Sequence, residues 1–184
     1  MTRVLVLLFA CACGAMLPAR ADAQGAGTSF ETSLGFSAGG GGGYSERDGI
    51  ALDLLLAKQV RAAPAGTLVA AITAGVHGPI AGDLDCISTP AGLCAPGFPV
   101  FISAGVMGGV QLGSAARANA RLLAGPAVFA AEEGGTLGLQ GRLDLATPAL
   151  FHVSLVAALQ GAVLPRFQGE TLTSRSISLG LRIQ

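Results

Sequence analysis

RSISLGLRIQ, Arg175 to Gln184, is the stretch on which the fold turns. Ile177, Leu179, Leu181 and Ile183 fall on one side of it, and Ser176, Ser178, Gly180 and Arg182 on the other. Successive side chains of an extended chain point to opposite faces of a sheet, so this alternation describes a strand with one apolar and one wet face.

Working back from that segment, the same two-faced pattern recurs and predicts about eight strands. Thr28 to Ala38 sets Phe30, Thr32, Leu34 and Phe36 against Glu31, Ser33, Gly35 and Ser37, and Gly49 to Gln59 sets Ile50, Leu52, Leu54 and Leu56 against Ala51, Asp53, Leu55 and Ala57. Thr67 to His77 and Val100 to Leu112 show weaker contrast, with Thr73, His77, Ser103 and Gln111 on the wetter side. Asn119 to Ala130 carries Asn119 and Arg121 opposite Leu122 and Val128, and its Pro126 predicts a bulge or a local break because proline has no amide to donate. Thr136 to Ala146 opposes Leu137, Leu139, Leu143 and Leu145 to Gln140, Arg142 and Asp144, and Leu150 to Val163 opposes Phe151, Val153, Leu155 and Leu159 to His152, Ser154 and Gln160.

The connections are read as alternating in length. Gly39 to Asp48, the long Gly78 to Pro99, the short Ala131 to Gly135 and Leu164 to Thr173 are read as the loops of one end, whereas the intervening Val60 to Gly66, Gly113 to Ala118 and Thr147 to Ala149 are mostly tighter turns. Short periplasmic turns and longer outer loops characterise outer-membrane barrels. An even strand count leaves both termini on the periplasmic side.

At the other end of the chain, Arg3, the apolar run Val4 to Ala12 and the small-x-small triplet Ala21-Asp22-Ala23 predict an export signal over residues 1–23, cleaved to leave a single barrel domain at 24–184. The apolar run is too short for a spanning helix, which needs about 20 residues. Loss of Arg3, Arg20 and Asp22 takes the 11 basic and 11 acidic residues to nine and ten, a near-neutral chain with no basic face for nucleic acid. Of the four cysteines, Cys86 and Cys94 remain, and an oxidising compartment predicts a disulfide between them that staples the loop.

High hydropathy without a spanning helix leaves two architectures. A soluble periplasmic barrel that holds an apolar ligand has an oily lumen and a wet exterior; a membrane barrel is the reverse, and only a closed sheet satisfies its backbone hydrogen bonds in hydrocarbon with strands. The second face gathers Glu31, Asp53, Arg121, Gln140, Arg142, Asp144 and Arg182, while the first holds nearly all the Leu, Ile and Val. This predicts an all-β, closed, antiparallel up-and-down transmembrane barrel with a polar lumen network. Such charges either pair with one another and fill the lumen or line a narrow water path; an eight-strand interior is just wide enough for side chains to fill it.

The export signal, the alternating strands and the ending Ser178-x-Gly180-Leu181-Arg182-Ile183 together resemble the small outer-membrane β-barrel family of Gram-negative bacteria, the OmpA-type transmembrane domains and OmpX-like proteins. The resemblance implies residence in the outer membrane, contact with its lipid and lipopolysaccharide, insertion by the barrel assembly machinery, a monomeric state, and a structural or surface-interaction role through the outer loops. The chain departs from that family in finishing on Gln184 rather than an aromatic residue and in having a single Tyr and no Trp for aromatic girdles.

His152 and Ser154 also resemble the His-x-Ser element of lipid A deacylases, in which serine is the nucleophile and histidine its base. Leu155 stands where that family has asparagine, and Glu170 is the nearest downstream carboxylate to orient the histidine. The alternative is a hydrogen-bonded lumen pair. Asp83 and Asp85 are read as a solvated loop rather than a calcium site, Gly39 to Gly43 as a flexible loop without the lysine of a phosphate-binding motif, and no cofactor is expected.

Overall fold

The computed structural model describes residues 27–41, 44–78, 87–88, 94–95, 99–114, 116–132, 134–167 and 169–184. Strands are β1 (Thr28–Gly41), β2 (Tyr44–Ala63), β3 (Gly66–Gly78), β4 (Ile87–Ser88), β5 (Cys94–Ala95), β6 (Phe101–Leu112), β7 (Asn119–Ala131), β8 (Gly134–Ala146), β9 (Val153–Phe167) and β10 (Glu170–Ile183). The eight long strands close in the order β1-β10-β9-β8-β7-β6-β3-β2, each antiparallel to its neighbours, and β4 and β5 form a separate two-stranded sheet. No helix occurs among the described residues.

Alternation along each strand becomes the inside and outside of the barrel. Leu137, Leu139, Leu155 and Leu179 project outward, the last of them 71% exposed, while Glu31, Asp144 and Arg182 on the opposite face are fully enclosed. Closure removes both sheet edges, so every long strand has a ladder on each side. The seam pairs β1 with β10 from Phe30↔Ile183 to Gly40↔Thr173.

The structure corrects the expected loop lengths. At the end opposite the termini, β1 runs to Gly41 and β2 starts at Tyr44, β7 and β8 are joined across positions 132–133, and β9 and β10 across 168–169. The segments read as loops at Gly39 to Asp48 and Leu164 to Thr173 are therefore largely strand, leaving 79–100 as the long connection at that end. Main-chain pairing such as Gly40↔Thr173 and Leu172↔Leu164 needs no contrast between side chains, so it continues through glycine-rich and polar sequence that shows no alternation.

A second correction concerns the seventh predicted strand. Leu150 and Val153 exchange backbone hydrogen bonds of 2.8 and 2.9 Å around Phe151 and His152, whose φ angles are +50° and +69°. This two-residue turn has the left-handed backbone that matches strand twist in tight hairpins, and β9 begins only at Val153. Pro126 produces a break without a bulge: β6–β7 pairing lapses between Gly105↔Ala127 and Gly108↔Ala124 while the register holds, and β7–β8 pairing runs on through Pro126↔Leu139. The missing amide thus faces β6. The predicted export segment at 1–23 and Cys86 of the predicted disulfide lie outside the described residues.

Candidate functional site

The polar face of the strands converges inside the barrel on two arginines. Arg142 on β8 donates from Nε to Asp144 Oδ1 at 2.6 Å, from Nη1 to Gln160 Oε1 at 3.2 Å and from Nη2 to Ser33 Oγ at 3.3 Å, and its Nη2 also pairs closely with Glu31. Arg182 on β10 donates from Nε to Glu31 Oε2 at 2.9 Å, from Nη2 to Asp144 Oδ2 at 3.1 Å and from Nη1 to Asn119 Oδ1 at 2.8 Å. Glu31 and Asp144 are therefore each shared between both guanidiniums. The planar, multi-donor guanidinium suits such bridging, which a lysine could not reproduce.

Two further groups extend the cluster. Asp53 Oδ2 stands 3.7 Å from Arg142 Nη1, and its Oδ1 lies 2.9 Å from His77 Nε2. Arg121, although opposite Asp144 across the strands, donates to Gln111 Oε1 at 2.7 Å and to Ser29 Oγ at 2.9 Å. Among the described residues the interior thus holds three buried arginines and three buried carboxylates, a balance of charge that its burial favours. Gln140 lies inside too, but neither atom of its amide has a partner; His77 Nδ1 and Ser176 Oγ are likewise unpaired.

Away from the termini the interior changes character. Phe101, Phe129, Leu164, Phe167 and Leu172 pack together with Ala127 and Ala162, and the Phe101 and Phe167 rings meet edge to face at 5.2 Å between centroids. A smaller cluster of Leu55, Ala57, Val69, Ala71, Met107 and Leu123 covers one wall on β2, β3, β6 and β7. Between the charged and apolar zones lies a cavity of about 10 Å³ lined by His77, Phe101, Phe129, Gln160 and Ser176 among others. That is room for about one water.

All seven residues predicted for the lumen network are inside, but they do not form a single cluster. Glu31, Asp53, Arg142, Asp144 and Arg182 are linked, Arg121 has its own neutral partners, and Gln140 stands apart. His152 does not share a strand face with Ser154: it sits exposed in the turn, while Ser154 is buried in the interior, where Gln184 Nε2 donates to its Oγ at 3.4 Å. The apolar cap was missed altogether. Phe167 and Leu172 lie in a segment read as a loop, and Phe101 and Phe129 sit on a face whose other residues, Ser103 and His77, are polar, so an apolar cap there departs from the polar-inside pattern.

The wall and the lumen invert the arrangement of a soluble lipid-binding barrel, with apolar side chains outside and charge within. The fold is that of a small Gram-negative outer-membrane β-barrel. Among solved structures, Neisserial surface protein A superimposes with a TM-score of 0.60 at 13% identity, over 87% of this chain and 99% of that one. Ail, the attachment invasion locus protein of Yersinia pestis, is matched at 12% identity and a TM-score of 0.47, over 85% of this chain and 97% of that one. No family model and no curated protein matches the sequence. The barrel is of the kind found in the outer membrane.

Proposed function

We infer that the protein is an integral outer-membrane barrel whose role is structural or surface-interactive, with a lumen plugged by side chains and the long connection at 79–99 presented outward. What supports this reading is an interior that holds an ionic cluster, an apolar cap and between them a cavity of about 10 Å³. An apolar exterior with exposed Leu139, Leu155 and Leu179 supports lipid as the surrounding solvent. In this reading the chain is a monomer, its partners are outer-membrane lipid and lipopolysaccharide with the assembly machinery acting during insertion, and Cys86 and Cys94 form a disulfide in the outward connection.

The test is conductance and topology together. Reconstituted in planar bilayers, the protein is expected to show no steady ion current, and protease applied to intact cells is expected to cut within 79–99. Sustained conductance overturns the plugged lumen; release of the protein from membranes by urea or carbonate washing overturns the membrane barrel itself.

A further inference from the structure

The outer surface of the barrel is charged differently at its two ends. At the end that carries the termini, Lys58 and Arg61 on β2 and Arg117 in the β6–β7 turn are exposed, and among the described residues no Asp or Glu lies on the outer surface there. At the far end the described charged residues are Asp48, Glu132 and Glu170 with Arg166 and Arg175, a mixed and slightly acidic set. None of Lys58, Arg61 and Arg117 is ion-paired with a described residue.

A β-bulge aims two of the three cations. β2 and β3 pair as Lys58↔Ala70 and Gln59↔Val69, then resume one residue late at Arg61↔Leu68. Ala70 and Leu68 both face outward, so Lys58 and Arg61, three apart in sequence, share the outer face. Without the extra residue, strict alternation would turn position 61 inward. Val60, inside the bulge, is exposed. Arg117 stands two strands further round the rim, in a turn closed by its own amide on Ser114 O at 3.0 Å, and Leu112 on β6 is exposed just before that turn.

The height of these cations on the wall follows from β2. Asp48 and Lys58 are the charged ends of one outward row whose other members are Ile50, Leu52, Leu54 and Leu56. Ten residues at about 3.4 Å each, tilted by about 40°, rise about 25 Å, the height of the apolar band of an outer-membrane barrel. Lys58 therefore stands where hydrocarbon gives way to headgroups, with Arg61 a step beyond it. Both project from the wall rather than from the mouth of the lumen, so what they meet is lipid.

We propose that this basic rim binds anionic phospholipid, with lipid phosphates against Lys58, Arg61 and Arg117 and acyl chains over Leu56, Leu68 and Leu112. A headgroup that bears an ammonium brings its own cation to the same place, whereas a purely anionic one brings none and is the better match. With the termini on the periplasmic side, this rim lies in the leaflet made of phospholipid. The proposal rests on the membrane reading above. A chain released from membranes by urea fails that reading, and a chain that is retained without lipid preference fails only this one.

The test reconstitutes the full chain in vesicles of equimolar dioleoyl phosphatidylglycerol and dioleoyl phosphatidylethanolamine, extracts it in mild detergent and identifies the retained lipids by native mass spectrometry. Wild type is expected to retain phosphatidylglycerol at least about five-fold over phosphatidylethanolamine, the factor that one cation near an anionic surface supplies. The triple variant Lys58→Gln, Arg61→Gln, Arg117→Gln is expected to lose the preference with unchanged heat-modifiable migration, and each single substitution to reduce it. Arg166→Gln, at the far end among acids, is expected to retain lipids as wild type does. Equal retention of the two lipids by wild type, a preference that survives the triple substitution or is removed by Arg166→Gln, or binding of peptidoglycan in place of phosphatidylglycerol would each overturn the proposal.

Discussion

The half of the lumen nearer the termini is held by charge and the half farther from them by packing. In the first, Arg142 and Arg182 reach carboxylates and amides on β1, β7, β8 and β9; in the second, Phe101, Phe129, Phe167 and Leu172 belong to one apolar cluster. The difference teaches what each half contributes. A guanidinium with three or four directional partners tolerates one arrangement of the surrounding strands, so the charged half specifies register and closure, whereas the apolar half excludes water and accepts several packings. A buried ion pair adds little net stability over an apolar substitute, but losing one partner leaves an uncompensated charge.

The largest expected effect follows from that asymmetry. Arg142→Leu strands Glu31, Asp144 and Asp53 around one remaining nearby arginine and is expected to lower unfolding stability by about 3–5 kcal/mol, measured by urea titration of the barrel in detergent. Phe167→Ala in the apolar half is expected to lower stability by about 3 kcal/mol through cavity formation. Unlike the arginine change, it should leave strand register intact, which amide exchange along β9 would show. If the two variants lose register equally, the division of labour between the halves fails.

Smaller changes sharpen the boundary. Gln111→Leu removes the acceptor of Arg121 Nε and is expected to destabilise by about 2 kcal/mol in the same titration, less than Arg142→Leu because Ser29 still accepts from the same arginine. Raising salt from 0.1 to 1 M, which shortens the Debye length from about 10 to about 3 Å, is expected to leave the unfolding midpoint in place because the ionic cluster is shielded from solvent. Ser154→Ala is expected to leave the lipid A profile of whole cells unchanged, read by mass spectrometry. An altered profile would give the interior serine a chemistry that its burial on the face opposite the solvent-facing His152 does not support.

The wall was more legible in the sequence than the lumen. Outward residues such as Leu139, Leu179 and Ile183 announce themselves by alternating with polar partners, and the structure has them outside. Inward charges at Glu31, Asp53, Arg142, Asp144 and Arg182 were legible for the same reason, since period-two contrast is greatest where charge opposes leucine. That contrast fades where alanine, glycine and apolar residues fill both faces, as along Ala104 to Val110, and it inverts along Leu164 to Leu172, where Arg166 and Glu170 lie outside while Leu164, Phe167 and Leu172 lie inside, so the alternation did not mark the apolar cap. The turn at Phe151 and His152 misled in another way. Two residues inserted between paired positions preserve the phase of the alternation, so a hairpin tip reads as continued strand. Partner choice inside the lumen, such as Arg121 with Gln111 rather than with an acid, depends on distances across strands that a linear pattern does not carry.

The seam between β1 and β10 has a consequence for how the molecule forms. Eleven consecutive pairs join residues near 30 to residues near 183, the greatest separation along the chain of any ladder in the barrel. Such a contact is made only after the intervening hairpins exist, because loop-closure entropy must be met before the ladder rewards it. Until that last zip, Glu31 and Arg182 ride on opposite rims of an open sheet, and the two arginines cannot both hold the same glutamate. Completion of the seam and the bridging of both arginines by Glu31 are therefore one event, so a barrel that is nearly closed still lacks the central link of its charged cluster.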